Sequence, residues 1–286
     1  MELGSEGMYK STWLTGGIEV AVKMFYGSDH PSFVNEVEIL AGLAHPNITP
    51  LLGYATVDSS SSIVMELMDG DLSFLMEARM RERLREKSRW KFPFTTPETV
   101  DIMLQTAEGM LYLHKNKVVH GDLKSQNILV KSREDIDVEY VFIKVADFGL
   151  SKTKESSSTY STQTPNTGTT RWMAPELMTL GPGELRAKTS DHDRELIYPF
   201  KADVYSFGMV CYEILTGRRP FDTISSLKEV KRMVLDGDRP ILPDHCPNEL
   251  QMLIHSCWEG EATSRPPFVE ICKTLRRLKW LPMIGM

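Results

Sequence analysis

The 286 residues are 41% hydrophobic and 25% charged, the balance of a globular protein, and the length favours two packed lobes over one small domain. A formal net charge of −6 argues against a general nucleic-acid binder. No apolar run reaches the length of a membrane span and the N-terminus lacks a signal-peptide pattern, so the expectation is a cytoplasmic chain, or the cytosolic part of a longer protein.

In chain order, the first sixty or so residues read as strands: IEVAVKMF from Ile18 and SIVMELM from Ser62 are rich in β-branched and apolar residues. Between them PSFVNEVEILAGLAH predicts an amphipathic helix with Phe33, Val37, Leu40 and Leu43 at helical spacing. MDGDL, Met68 to Leu72, is a turn signal and marks a lobe boundary. SFLMEARMRERLREKSRWK alternates charges, with pairs such as Glu77 and Arg81, and reads as a solvated helix face rather than an anion site. TPETVDIMLQTAEGMLYLH predicts a longer helix opened by Thr96, with Pro97 at its first position. KESSSTYSTQTPNTGTT is polar and without hydrophobic periodicity, a mobile loop, and GPGELRAKTSDHDRELIY reads as a surface insertion between helical segments. The four cysteines, Cys211, Cys246, Cys257 and Cys272, form no CxxC pair and read as reduced thiols in packed helix. Strands first and helices later predict an α+β protein with a cleft between lobes.

Candidate chemistry sits at a few positions. In VAVK the period of two puts Ala21 and Lys23 on one face, where a lysine beside a small apolar residue can hold an anion beneath a flat ring; taken alone, Lys23 is an edge lysine at a strand end. Glu36 lies one turn before Leu40 on the apolar face, a costly place for a carboxylate without a partner, and Lys23 is the nearest candidate. In FIKVADFGL a short strand ends at Asp147, where a carboxylate suits a hard cation such as Mg2+, and Asn127 offers a second oxygen. Singly these signals are weak, because Asp and Asn abound in turns. VVHGDLKSQNILV sets Asp122, Lys124 and Asn127 between two apolar runs, either as decoration of a surface turn or converging on one charged substrate.

The order VAVK, Glu36, HGDLKSQN, DFG and APE (Ala174 to Glu176) closely resembles the eukaryotic protein kinases, from about Lys10 to about Leu278. DVYSFG from Asp203, CWEGEATSRPPF from Cys257 and GTTRWMAPE from Gly168 are similar to the tyrosine-kinase-like branch, abundant in plants. The resemblance implies one kinase domain over 1–286: a small β-rich N-lobe with one main helix (about 1–67), a hinge (about 66–70) and a larger, mainly helical C-lobe (about 71–286). It implies ATP with Mg2+ or Mn2+ as cofactors and a protein substrate bearing a serine or threonine hydroxyl; it leaves the oligomeric state open.

By the same resemblance, Lys23 contacts the α- and β-phosphates and pairs with Glu36, Asp147 and Asn127 hold metal, Asp122 accepts the hydroxyl proton, and Lys124 neutralises the transferring phosphoryl group. Met65 is placed as gatekeeper, Glu66 and Leu67 offer backbone groups to adenine, and Ala21 and Leu129 sandwich the ring. Leu40, Leu51, His120 and Phe148 form an apolar spine, with Asp203 holding the backbone near His120, and Glu176 pairs with Arg265. Lys124 two residues after the aspartate, and Thr169 placed to touch both, point to serine/threonine specificity. Pseudokinase scaffolding and dual-specificity or tyrosine phosphorylation are the alternatives.

The chain departs from the family pattern twice. The phosphate-covering loop G-x-G-x-x-G-x-V is represented by MELGSEGMYK, which offers Gly4 and Gly7 and fits only with a residue deleted; the first strand reads as truncated and the Michaelis constant for ATP as raised. Gly121 stands where most members carry an arginine that reads phosphate, so phosphorylation between Ser156 and Thr167 is not expected to switch activity by that route. The activation segment is then ordered without phosphate or regulated elsewhere.

Overall fold

In a computed structural model of the chain, the residues described are 7–13, 17–26, 30–57, 60–88, 91–133, 140–149, 151–153, 169–179 and 192–280. The expectations on Gly4, on the hydroxyl-rich stretch 154–168 and on 181–191 of the insertion lie outside the described residues.

The apolar alternation near the N-terminus makes a four-stranded antiparallel sheet in the order β1-β2-β4-β3, from β1 (Met8–Trp13), β2 (Ile18–Tyr26), β3 (Leu51–Val57) and β4 (Ser60–Glu66). Register places Ala21 of β2 opposite Lys10 on one side and Met65 on the other. Because side chains alternate with a period of two, a one-residue slip of β2 would exchange the faces of Val22 and Lys23. Helix α1 (His30–Ala41) packs on this sheet as its spacing predicts: Phe33 and Leu40 are buried, Val37 and Leu43 partly so. Phe33 meets Phe25 edge-on at 5.6 Å. The segment after α1 fastens the sheet to the second lobe. Asn47 Nδ2 donates to the Ile143 carbonyl at 2.9 Å and Thr49 Oγ1 to the Val145 carbonyl at 3.1 Å.

The turn signal MDGDL becomes β5 (Gly70–Asp71) and the start of α2 (Leu72–Arg85), capped by Asp71 Oδ1 accepting from the Phe74 N–H at 2.9 Å. The solvated reading of α2 fits the exposed Glu77–Arg81 pair, at 2.8 Å, but fails at Arg79. Arg79 is buried, bonded to Glu98 at 2.7 Å and set over the Phe94 ring at 4.8 Å. Helix α3 (Thr96–Lys115) is capped one residue earlier than expected. The Thr95 N–H donates to Glu98 Oε2 at 2.8 Å, and Pro97 is the second helical residue.

Four short strands shape the floor of the cleft: β6 (Val118–Val119), β7 (Ile128–Arg133), β8 (Tyr140–Val145) and β9 (Lys152–Thr153), paired β5-β7-β8 and β6-β9. Beyond them come α4 (Pro175–Met178), α5 (His192–Thr216), α6 (Leu227–Leu235), α7 (Asn248–Cys257) and α8 (Phe268–Trp280). The insertion reading is corrected at 192–198, which form the first turns of α5. From Ala202 to Leu215, α5 is buried apart from the half-buried Ser206, and α3, α7 and the cleft floor pack around it. All four cysteines are free and buried, though Cys246 lies in a turn and not in a helix. Burial pushes the Cys246, Cys257 and Cys272 thiols up to about 12, so they are inert. Among the described residues no helix is long and apolar enough to cross a membrane.

Candidate active site

The site forms where the two lobes face each other. Strand β2 delivers Lys23 and helix α1 delivers Glu36, and their side chains meet at 2.8 Å. Lys23 Nζ also reaches Asp147 Oδ1 at 2.8 Å. Burial disfavours the charged lysine, but Asp147 and Glu36 together outweigh that and raise its pKa. Burial, with the Asp147 charge added, raises Glu36, and Lys23 offsets only part of it. Asp147 is half-exposed, so the desolvation that opposes its ionisation is limited; Lys23 outweighs it, and the carboxyl lies below its ordinary value. The lysine therefore stays charged beside a carboxylate that stays ionised.

Asp147 has a positive φ of 65°, a region most side chains avoid but Asp tolerates. This turn after β8 carries its carboxylate, 46% exposed, into the cleft while Phe148 beside it is wholly buried. The Phe148 ring stands 5.5 Å from that of His120. Leu40 and Phe148 belong to the apolar core, and Leu51 packs against it. His120 has a defined tautomer: its Nδ1 accepts from the Asp122 N–H at 3.2 Å, so Nε2 carries the proton donated to the Ala146 carbonyl at 3.1 Å. Asp203 of α5 accepts from the His120 and Gly121 N–H groups, each at 2.9 Å, and from His114 Nε2 at 2.9 Å.

The polar trio of the loop after β6 converges. Asp122 Oδ2 accepts from Lys124 Nζ at 2.7 Å and from Asn127 Nδ2 at 3.1 Å, and Asn127 Nδ2 also reaches the Asp122 carbonyl at 2.8 Å. Asp122 Oδ1 is buried with no hydrogen-bond partner. Since both bonds of Asn127 leave from its nitrogen, its amide oxygen is turned away from Asp122. Its backbone carbonyl accepts from the Ala146 N–H at 2.9 Å, tying the loop to the residue before Asp147. Lys124 Nζ lies 3.4 Å from Thr169 Oγ1.

The remaining expected positions have partners of their own. Ala21 and Met65 are adjacent and buried in the sheet, and Leu129 is half-buried on β7 opposite Asp71. Past Met65, the Glu66 carboxylate faces Lys144 at 3.4 Å, and the Leu67 carbonyl accepts from Lys131 Nζ at 2.9 Å. Gly7, with φ 79°, leads into β1; its carbonyl accepts from the Met24 N–H at 2.7 Å, and a Cβ there would sit 2.9 Å from the Met24 oxygen. Glu176 and the buried Arg265 form two parallel bonds at 2.7 and 2.8 Å.

Two contributors escaped the sequence reading. Glu213 of α5 is fully buried and accepts from Ser125 Oγ at 2.8 Å and Trp172 Nε1 at 2.7 Å, joining the catalytic loop to the TTRW segment. A carboxylate inside the apolar run MVCYEIL was the available signal. Asn35, next to Glu36, bonds the backbone after Asp147.

This two-lobed arrangement, with its lysine–glutamate pair above a carboxylate-bearing loop, defines a phosphotransferase class of site. The family profile of protein tyrosine and serine/threonine kinases matches residues 5–275, and the chain belongs to that family. It is similar to a light-sensor protein kinase of the moss Ceratodon purpureus, 52% identical over 96% of this chain and 21% of that protein. Two Arabidopsis thaliana proteins are also similar: the serine/threonine-protein kinase STY46, at 32% over 96% of this chain and 42% of its own length, and the probable serine/threonine-protein kinase SIS8, at 34% over 97% and 24%. The chain thus spans between about a fifth and two fifths of these relatives. Membership of the family implies ATP, a divalent cation and protein substrates.

Proposed function

We propose that this chain transfers the γ-phosphoryl group of ATP to serine or threonine hydroxyls of proteins. The observation that carries the reading is the divided Asp122 carboxylate. One oxygen is fixed by Lys124 and Asn127, and the other is buried without a partner. An unsatisfied buried acceptor is destabilising unless a ligand completes it. A substrate hydroxyl hydrogen-bonded to Oδ1 is held in line for attack. As its oxygen forms the new bond to γ-phosphorus, the bond to the bridging β–γ oxygen breaks, ADP departs and the hydroxyl proton passes to Asp122. Lys124 is placed to neutralise the phosphoryl oxygens, and Lys23 the α- and β-phosphates.

The oxygen donors suit Mg2+, or Mn2+: the Asp147 carboxylate faces the cleft and the Asn127 amide oxygen is freed by the bonds its nitrogen makes. Such an ion, bound with ATP, would neutralise phosphate charge. The Thr169 hydroxyl beside Lys124, together with the relatives' printed specificity, supports serine or threonine over tyrosine. Free, buried thiols support a reducing compartment, the cytosol.

The test is Mg2+-ATP-dependent phosphorylation of a generic protein, with phosphoamino-acid analysis of the product. Asp147→Ala is expected to lower the rate by at least about 100-fold, the scale of losing a preorganised electrostatic group. Equal silence of wild type and variant, with nucleotide still bound, would establish a non-catalytic scaffold instead.

A further inference from the structure

Helix α1 grips the backbone around Phe148 through Asn35, the residue before Glu36. Asn35 Nδ2 donates to the Phe148 carbonyl at 3.3 Å and to the Ser151 carbonyl at 3.0 Å. Both acceptors are carbonyls, so the orientation of the amide is fixed by chemistry: only its nitrogen can face them. The Phe148 carbonyl also takes the Ser151 N–H at 3.0 Å, closing a tight turn immediately after Asp147. Ser151 is buried, and its Oγ donates to the His120 carbonyl at 2.9 Å. Lys152 and Thr153 then pair with Val119 and Val118. The segment leaving Asp147 is thus held between the helix that carries Glu36 and the strand that leads into Asp122.

We propose that Asn35 is a positioning residue that fixes this segment, and with it the Asp147 carboxylate, through a donor built into α1. Lys23 alone cannot do so, because it binds one Asp147 oxygen and leaves the backbone beyond unconstrained. The catalytic loop supplies no side-chain donor at its second position, since Gly121 has only its N–H, already given to Asp203. Asn35 therefore orders the start of the activation segment without any phosphate group. The inference rests on the kinase reading for its catalytic meaning, but its structural half does not.

The experiment uses the 286-residue chain and the variants Asn35→Ala and Asn35→Asp. Aspartate keeps the size and shape of asparagine but presents oxygens to two carbonyls. Hydrogen exchange of the backbone amides over 147–153 is read first, without nucleotide. Both variants are expected to speed it about tenfold, the scale of losing two hydrogen bonds of ordinary net strength. Second, the Mg2+ concentration that half-saturates binding of a non-hydrolysable ATP analogue is expected to rise about five- to tenfold, with aspartate at least as impaired as alanine. Unchanged exchange over 147–153 overturns the proposal. So does a lowered melting temperature with an unchanged Mg2+ requirement, the signature of a merely structural residue, and so does a wild-type-like Asn35→Asp. If the wild type binds no nucleotide at all, the kinase reading fails, while the exchange result still decides for or against Asn35.

Discussion

Two guanidinium groups, those of Arg239 and Arg265, stand over the Tyr205 ring, each 5.1 Å from its centre. Its hydroxyl is buried and has no hydrogen-bond partner, and burial pushes its ionisation upward. The ring is thus useful for packing and cation–π contact, and the oxygen is a burden. Tyr205→Phe is expected to leave the urea midpoint unchanged or raise stability by up to about 1 kcal/mol, whereas Tyr205→Ala should lower it by about 3–5 kcal/mol. At Gly121 the sequence and the structure inform each other. The missing arginine is legible from the motif, but the positive φ of 79° is not, and that backbone would strain most side chains. With no side chain there to read phosphate, phosphatase treatment should leave kinase activity essentially intact. Loss of nearly all activity would refute the assignment.

At the scale of elements, α5 does the most to set the relative positions of functional loops. Asp203 holds the His120–Gly121 backbone, and Glu213, ten residues on, holds Ser125 and Trp172. Burial raises the Glu213 carboxyl from 4.5 to about 7, although it accepts two hydrogen bonds. Between these values the folded chain keeps a proton that the unfolded chain releases. The stabilisation is therefore full below pH 4.5 and is lost as pH rises through about 7, a span of about 3 kcal/mol. Protonation does not break the network, because the carboxyl can donate to Ser125 Oγ while still accepting from Trp172. Glu213→Gln makes the same two bonds without titrating. Denaturation between pH 5 and 8 should show the variant gaining on wild type as pH rises; parallel curves would contradict this account. The Asp203 bridge was legible only through the family resemblance, and the Glu213 bridge and the Arg79–Glu98 pair were not legible, because they join residues far apart in sequence. The i,i+4 spacing disclosed Glu77–Arg81, but Glu98 lies on another helix. The strands, the main helices and the convergence of Asp122, Lys124 and Asn127 were legible because period and motif are local properties.

For the whole molecule, the question is how two lobes hold a triphosphate with little glycine above it. On the proposed reading the phosphates would face Lys23 of the sheet and Lys124 of the loop after β6, and the Asp147 and Asn127 oxygens would hold a cation; all four side chains are positioned by bonds within the described residues. In sequence, MELGSEGMYK offers Gly4 and Gly7 in place of the three spaced glycines of the family pattern. Gly7 is already committed to β1 through Met24, and its close approach leaves no room for a side chain. Backbone N–H groups on a glycine loop bind phosphate oxygens in ground and transition states alike, so their loss should act mainly as uniform binding. The Michaelis constant for ATP should then fall toward the upper end of the usual range, about several hundred micromolar, with the turnover number less affected. Adenosine, which has no phosphates to lose contact with, should bind nearly as well as to a kinase with the full loop. An ATP constant in the low micromolar range would show that other backbone donors close over the phosphates.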